Sequence, residues 1–178
     1  MASYRKQAWE LAMGQYGYIS TRDAAEAGIP PVELPKIAAR GLLRQVAYGL
    51  YHFDDMPPTR YDQYYEAFRI VGEDAHLTGD AVLALHELAS VNPKRIRVGT
   101  RRRVRRALPD WIEIVNDGVD DEHLDEFEGI PTTTVACAFR ACDRSVMRDR
   151  LVAAIPVARA AGLLSEDEVS QLLEELTE

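Results

Sequence analysis

The chain has 178 residues and a formal net charge of −8, a length that holds one ordinary domain or two small ones. Hydrophobic residues make up 47% and charged residues 28%, as in a soluble globular protein. No apolar run approaches the ~18 residues that a bilayer-spanning helix needs. The start, Met1-Ala2-Ser3-Tyr4-Arg5-Lys6, lacks the apolar segment of a secretory signal, so the expectation is a cytoplasmic protein. Cys137 and Cys142 do not have zinc spacing, and His52, His76, His86 and His123 are scattered. No metal site and no cofactor are expected. The charge is uneven: residues 1–60 carry +1, residues 61–110 carry +2, and residues 111–178 carry −11. A surface for a nucleic acid therefore belongs before Trp111.

In chain order, Tyr4, Ala8, Leu11, Ala12 and Tyr16 form a helical stripe that Gly14 and Gly17 close. Ser20 with Asp23 three residues on is close to a capping box for a short helix from Thr21 to Ala27, ended by Gly28. Pro30 and Pro31 suit the start of the next helix, from about Val32 to Arg40, which stops at Gly41. Two short helices joined by a tight glycine-containing turn are a helix-turn-helix, the second being the candidate recognition helix. Pro35 lies inside it, and proline is tolerated only in a first turn, so this helix is expected to begin later than Val32. The stretch Leu42 to Phe53 alternates and contains Gly49, which predicts a small hairpin or wing, with Arg44 and Tyr48 placed to reach phosphate and sugar.

The run Tyr18-Ile19-Ser20-Thr21-Arg22-Asp23-Ala24-Ala25-Glu26-Ala27-Gly28-Ile29 comes first. A short helix ending in Ala-Arg-Gly follows, and then Leu42-Leu43-Arg44-Gln45-Val46-Ala47-Tyr48-Gly49-Leu50-Tyr51. This succession resembles the N-terminal domain of the AbiEi family of antitoxins. The match rests on Arg40-Gly41, Leu43, Val46, Gly49 and Tyr51. Tyr48 stands where members of that family often carry a basic residue.

Asp54 to Thr59 reads as a turn-rich linker, dividing a domain at 1–57 from one at 58–178. Tyr61, Tyr64, Tyr65, Phe68 and Val71 share one helical face, which predicts core packing. Asp80 is the expected N-cap of a helix from Ala81 to Ala89, with His86 in its core stripe as a hydrogen-bonded structural residue. Arg95 to Val98 and Trp111 to Val115 alternate like strands. Between them lie Arg101, Arg102, Arg103, Arg105 and Arg106, a cationic connection suited to phosphate, or alternatively a solvated loop neutralised by the acidic tail. Asp120 to Glu128 has no calcium-loop spacing and reads as a solvated acidic loop. Ile130 to Thr134 leads into a helix from about Val135 to Asp143. A further helix from Met147 to Ala161 has Pro156 as a break or kink, and Ser165 with Glu168 caps a last one from Glu166 to Leu176. The order of these parts is similar to the C-terminal domain of the same antitoxins. Its markers are Ala-Leu-His on a helix, Pro-x-Arg-Ile on a strand, the arginine-rich connection, Gly129-Ile130-Pro131-Thr132-Thr133-Thr134 and Gly162-Leu163-Leu164-Ser165.

The fold expected is α+β and mainly α: an N-terminal winged helix-turn-helix, then a mixed α/β domain with a small sheet and terminal helices. No hydrolase, zinc-protease or phosphate-loop motif is present. None of Lys6, Lys36 and Lys94 has a carboxylate two residues before it, which weakens a nuclease reading in which Glu113 and Asp117 would be the only candidates. The expected protein is not an enzyme. The resemblance implies a type IV antitoxin that binds its own promoter as a repressor and counters a cognate nucleotidyltransferase toxin. Double-stranded DNA is then a partner, a homodimer would sit on a palindromic operator, and no membrane is involved. The candidate DNA-binding residues are Arg22, Lys36, Arg40, Arg44 and Tyr48, with Arg101, Arg102, Arg103, Arg105 and Arg106. Two alternatives stay open. One is a winged-helix interaction module whose acidic last third docks on a basic protein; the other is a transcription factor with no toxin partner.

Overall fold

The computed structural model describes residues 3–142 and 144–177. The chain divides into two compact units at Ile70/Val71, later than the linker at residue 57 that the sequence had indicated. The fold is α+β, and its N-terminal unit is a winged helix-turn-helix.

In the first unit, helix α1 (Tyr4–Met13) starts at Ser3, whose hydroxyl accepts from the Lys6 amide. Strand β1 (Tyr18–Ser20) follows. Helix α2 (Thr21–Glu26) carries a complete capping box: Ser20 accepts from the Asp23 amide at 3.1 Å, and Asp23 accepts from the Ser20 amide at 2.7 Å. Helix α3 (Glu33–Ala39) begins only one residue later than Val32, and Pro35 sits at its third position. First-turn N–H groups have no intrahelical acceptor, so proline loses nothing there. Strands β2 (Arg44–Ala47) and β3 (Leu50–His52) form the hairpin, and β3 lies between β1 and β2 in a three-stranded sheet. Tyr18-Ile19-Ser20, unassigned from the sequence, is the added strand. Ala8, Ala12, Ile19, Ala24, Ile29, Leu34, Ile37, Leu43, Tyr51 and Phe53 make one core.

Helix α4 (Asp62–Val71) closes this unit rather than opening the next. Its buried face is Tyr65, Ala67, Phe68 and Ile70. Tyr18 donates to Glu66 at 2.5 Å, and Arg69 donates to Asp23 at 2.5 Å and to Gln15 at 3.0 Å. Asp23 thus serves two helices, capping α2 through its amide and its carboxylate and anchoring α4 by accepting from Arg69.

The second unit contains a five-stranded sheet in the order β6-β5-β4-β8-β7. These strands are β4 (Ala75–Leu77), β5 (Ile96–Thr100), β6 (Ile112–Val115), β7 (Leu124–Phe127) and β8 (Ile130–Thr133). The β5/β6 and β4/β8 pairs are parallel, and β4/β5 and β7/β8 are antiparallel. Helices α5 (Asp80–Leu85), α6 (Val135–Cys142), α7 (Arg148–Ala160) and α8 (Glu166–Thr177) complete it. Its largest fully buried side chains include Leu77, Leu83, Ile130, Phe139, Leu151, Ile155 and Leu172.

Several sequence expectations need correction here. Asp80 is the first residue of α5, and Gly79, with φ 59°, holds the capping position. The helix stops at Leu85 because Glu87, Ala89 and Ser90 all have positive φ. The acidic stretch forms a short 3-10 turn (Asp121–His123) and then edge strand β7, not a loop. Ile130 to Thr133 is strand β8, with Ile130 fully buried. Pro156 neither breaks nor ends α7; it removes one backbone donor from an exposed position. His86 packs its ring edge-on against Phe127 at 4.7 Å, and burial lowers its basicity. The expected end of α6 at Asp143 falls outside the described residues.

Candidate nucleic-acid interface

In the first unit, the buried residues of α3 are Leu34 and Ile37, so Lys36 and Arg40 face solvent. Lys36 pairs with Glu33 at 2.8 Å, and on α2 Arg22 pairs with Glu26 at 2.8 Å. Arg40 has no carboxylate partner among the described residues. Exposed pairs three or four residues apart on a helix contribute about 0.3–0.5 kcal/mol, so a phosphate oxygen competes with them easily.

The wing turn is Tyr48-Gly49. Gly49 has φ 70°, and a Cβ there would approach Thr21 Oγ1 at 3.0 Å, so glycine fits both the backbone and the space. The Thr21 amide donates to the Gly49 carbonyl at 2.8 Å. The tip is therefore tied to the first residue of α2, and Tyr48 projects from it 94% exposed. At the base of the wing, Arg44 Nε lies 3.1 Å from both carboxylate oxygens of Asp54, and His52 Nδ1 lies 2.8 Å from Asp54 Oδ1. The Arg44 hydrogen bond is the largest influence holding Asp54 below the usual carboxylate range, and the same bond raises the Arg44 guanidinium. Beneath it, burial first and the Glu66 hydrogen bond second push the Tyr18 phenol upward, so Tyr18 acts as a fixed donor.

The structure thus gathers Arg22, Lys36, Arg40, Arg44 and Tyr48 in one compact unit. The arginine connection belongs to the other unit and is not a uniform cluster. Arg101 donates to the Val119 carbonyl at 2.5 Å and to Asp121 at 2.8 Å, Arg102 lies 2.6 Å from Asp74, and Arg106 donates to the Val71 carbonyl at 2.8 Å. Arg103 and Arg105 are exposed with no carboxylate partner among the described residues. The loop is neutralised in part, by Asp121 from the acidic last third and by Asp74. Sequence reasoning overlooked these partners, and also the Arg69–Asp23 brace and a buried His76–Asp117 pair. Partners 41 or 46 positions apart leave no local spacing signal.

Among the described residues no cluster of three or more metal-ligating side chains occurs, and no helix is long and apolar enough to cross a membrane. Together the capped helix pair, the solvent-facing α3 and the clamped wing define a winged helix-turn-helix module, followed by a mixed α/β unit. Residues 8–53 of that module match the family described as transcriptional regulator, AbiEi antitoxin. A crystal structure of the RV2827C protein from Mycobacterium tuberculosis has a similar fold, with a TM-score of 0.52 at 17% identity, over 98% of this chain and 72% of that one. No curated protein matches the chain.

Proposed function

We propose that this protein is an AbiEi-type antitoxin that binds the promoter of its own operon as a repressor and counters a cognate nucleotidyltransferase toxin. The family match over residues 8–53 supports the regulatory reading. The observation that carries DNA binding is the solvent face of α3. Lys36 lies on it, away from buried Leu34 and Ile37, and exposed Arg40 caps its C-terminal end, in the same unit as a wing that holds Arg44 and an almost fully exposed Tyr48. In this reading α3 enters the major groove, where a helix fits. Arg22, Arg44 and Tyr48 contact phosphate and sugar. Of the arginine connection, Arg103 and Arg105 are the readiest for phosphate, with Arg101, Arg102 and Arg106 in supporting positions.

Fluorescence anisotropy with DNA from upstream of the gene, against scrambled DNA over a salt series, tests this. The upstream DNA should bind more tightly, with a steep salt dependence of about −0.9 per neutralised phosphate in log–log form. Arg40→Ala and Arg44→Ala should each weaken binding, and equal affinity for both DNAs would sink the operator assignment. Coexpression with the neighbouring toxin gene tests the antitoxin half: rescue of growth supports it, and no rescue leaves a plain transcription factor.

A second reading, a module that docks on a basic protein, draws on the charge of −11 over residues 111–178. Arg140 pairs with Glu175 and Arg159 with Glu166 on α8, while Asp167 and Glu174 have no cationic partner among the described residues. Charge reversal at Asp167 and Glu174 would abolish docking in that reading and leave operator binding intact.

A further inference from the structure

A cavity of about 340 Å³ in the second unit is lined by Asp74, His76, Arg101, Arg102, Asp121 and Leu124. We propose that it binds a small phosphorylated ligand carrying a free hydroxyl, of the size of a ribose phosphate or mononucleotide. The volume lies within the range of small-molecule sites.

His76 is the centre of the argument. It sits on β4 with 3% of its surface exposed, yet lines the cavity. Its Nε2 is 3.0 Å from Asp117 Oδ2. In the tautomer with the proton on Nε2, Asp117 accepts it and Nδ1 offers a lone pair. Nδ1 has no partner among the described residues. In that tautomer the ring calls for a donor from the cavity, and a ligand hydroxyl is one.

The fold keeps space for this pair. Gly99 faces His76 across the β4/β5 ladder. A Cβ on Gly99 would lie 2.3 Å from His76 Nε2 and 2.4 Å from Asp117 Oδ2. Asp117 also keeps its Oδ1 buried without a hydrogen bond. Buried polar groups are rarely left unpaired, so a carboxylate retained here serves its histidine.

The arginines supply the anion-binding half. A guanidinium has five N–H donors in a fixed fork. Asp74 lies 2.6 Å from Arg102 Nε, and neither Nη group has a hydrogen-bond partner among the described residues. Val119 and Asp121 engage Arg101 through Nε and Nη2, and Nη1 has no hydrogen-bond partner among the described residues. The carboxylates thus aim the forks without using them up. The lining sets Arg101 and Arg102 against Asp74 and Asp121, and Arg103 and Arg105, next in the chain, add the positive surplus beside it. With Asp74 and Asp121 committed to arginines, a metal-ligand role for them is disfavoured.

Isothermal titration calorimetry of the full chain tests the site, with adenosine 5′-monophosphate, ribose 5-phosphate, adenosine and 2′,3′-dideoxyadenosine 5′-monophosphate as probes. At least one of the first two should bind with a Kd below about 1 mM, the range of a weak specific complex. Binding of the nucleotide alone assigns a nucleotide, and binding of ribose 5-phosphate as tightly assigns a sugar phosphate. Adenosine, without phosphate, and the dideoxy probe, without hydroxyls, should each bind at least tenfold more weakly. Arg102→Ala, at an exposed position outside the core, should weaken binding tenfold or more, and His76→Phe, which keeps a ring but no acceptor, should abolish the preference for the hydroxylated probe. No binding of either phosphorylated hydroxyl probe, or equal binding by wild type and Arg102→Ala, overturns the proposal. The titration contains no DNA, so its failure is separate from failure of the operator reading.

Discussion

The two units of this chain are built by different means. In the first, the helix pair and the wing are announced by their own neighbours: Ser3 and Ser20 cap helices, Gly28 and Gly41 turn the chain after α2 and α3, and Gly49 turns the wing. In the second, the sheet joins β4 to β8 and β5 to β6 in parallel pairs, which tight turns do not make. Its charges are matched over distance as well: Arg102 finds Asp74, Arg101 finds Asp121, and His76 finds Asp117. A unit made from local signals tolerates changes that respect those signals. A unit made from long-range registry is sensitive wherever two distant segments nearly touch.

That contrast is open to challenge by mutation. The largest effect should come from Phe53→Ala, because Phe53 is fully buried in the first core; such a truncation costs about 3–5 kcal/mol. Hydrogen exchange should then lose protection over residues 3–70 and keep it over residues 71–177, and equal loss in both units would break the comparison. Gly99→Ala should act on the other side. Its new methyl group would meet His76 and Asp117, and overpacking of this kind costs about 1–3 kcal/mol, read as a lower urea midpoint with protection lost from β4, β5 and β6.

The smallest effect, below about 1 kcal/mol, is one of sign. Asp54 in the first unit has a lowered pKa, chiefly from its hydrogen bond with Arg44. Its contribution is present above the ordinary carboxylate value and lost as pH falls through the lowered one. Asp80 in the second unit has a raised pKa, chiefly from burial and despite Arg97. The folded form binds that proton more tightly than the unfolded chain, so stability declines as pH rises from the ordinary carboxylate value through the raised one. Asp54→Asn should flatten the acid limb for the first unit, and Asp80→Asn should flatten the opposite slope in the second. Slopes of the same sign for both variants, in urea midpoints from pH 3 to 6, would contradict the assignment.

The same contrast explains what the sequence revealed. The capping box at Ser20, the left-handed glycines and the core stripe on α4 are short-range facts, and they were readable. Strand β1 was not, because Tyr18-Ile19-Ser20 is three residues long and becomes a strand only through pairing with β3. Strand β7 was hidden by its charge: Leu124-Asp125-Glu126-Phe127 has a loop's composition, and its pairing with β8 fixes it. The helix that stopped at Leu85 had good local propensity through Ala89, but the residues after it take left-handed backbone conformations without glycine. At the candidate interface, Arg22, Lys36, Arg40, Arg44 and Tyr48 were proposed from their element positions; Glu26 and Glu33 lie at helical spacing from their partners, whereas Asp54, Asp74 and Asp121 required the folded chain.

The acidic strand β7 has a consequence for how copies of this protein meet. It lies at one rim of the five-stranded sheet and pairs on one side only, with β8. A bare rim is a template onto which another extended chain can add, the usual start of sheet-to-sheet clumping. Here an arriving strand would meet Asp125 and Glu126, with Asp121, Glu122 and Glu128 close by in the chain. A second copy would bring the same charges to the same place. The negative run that reads as an ordinary solvated loop in the sequence thus makes this rim self-repelling and guards the protein against growth into fibres at high concentration.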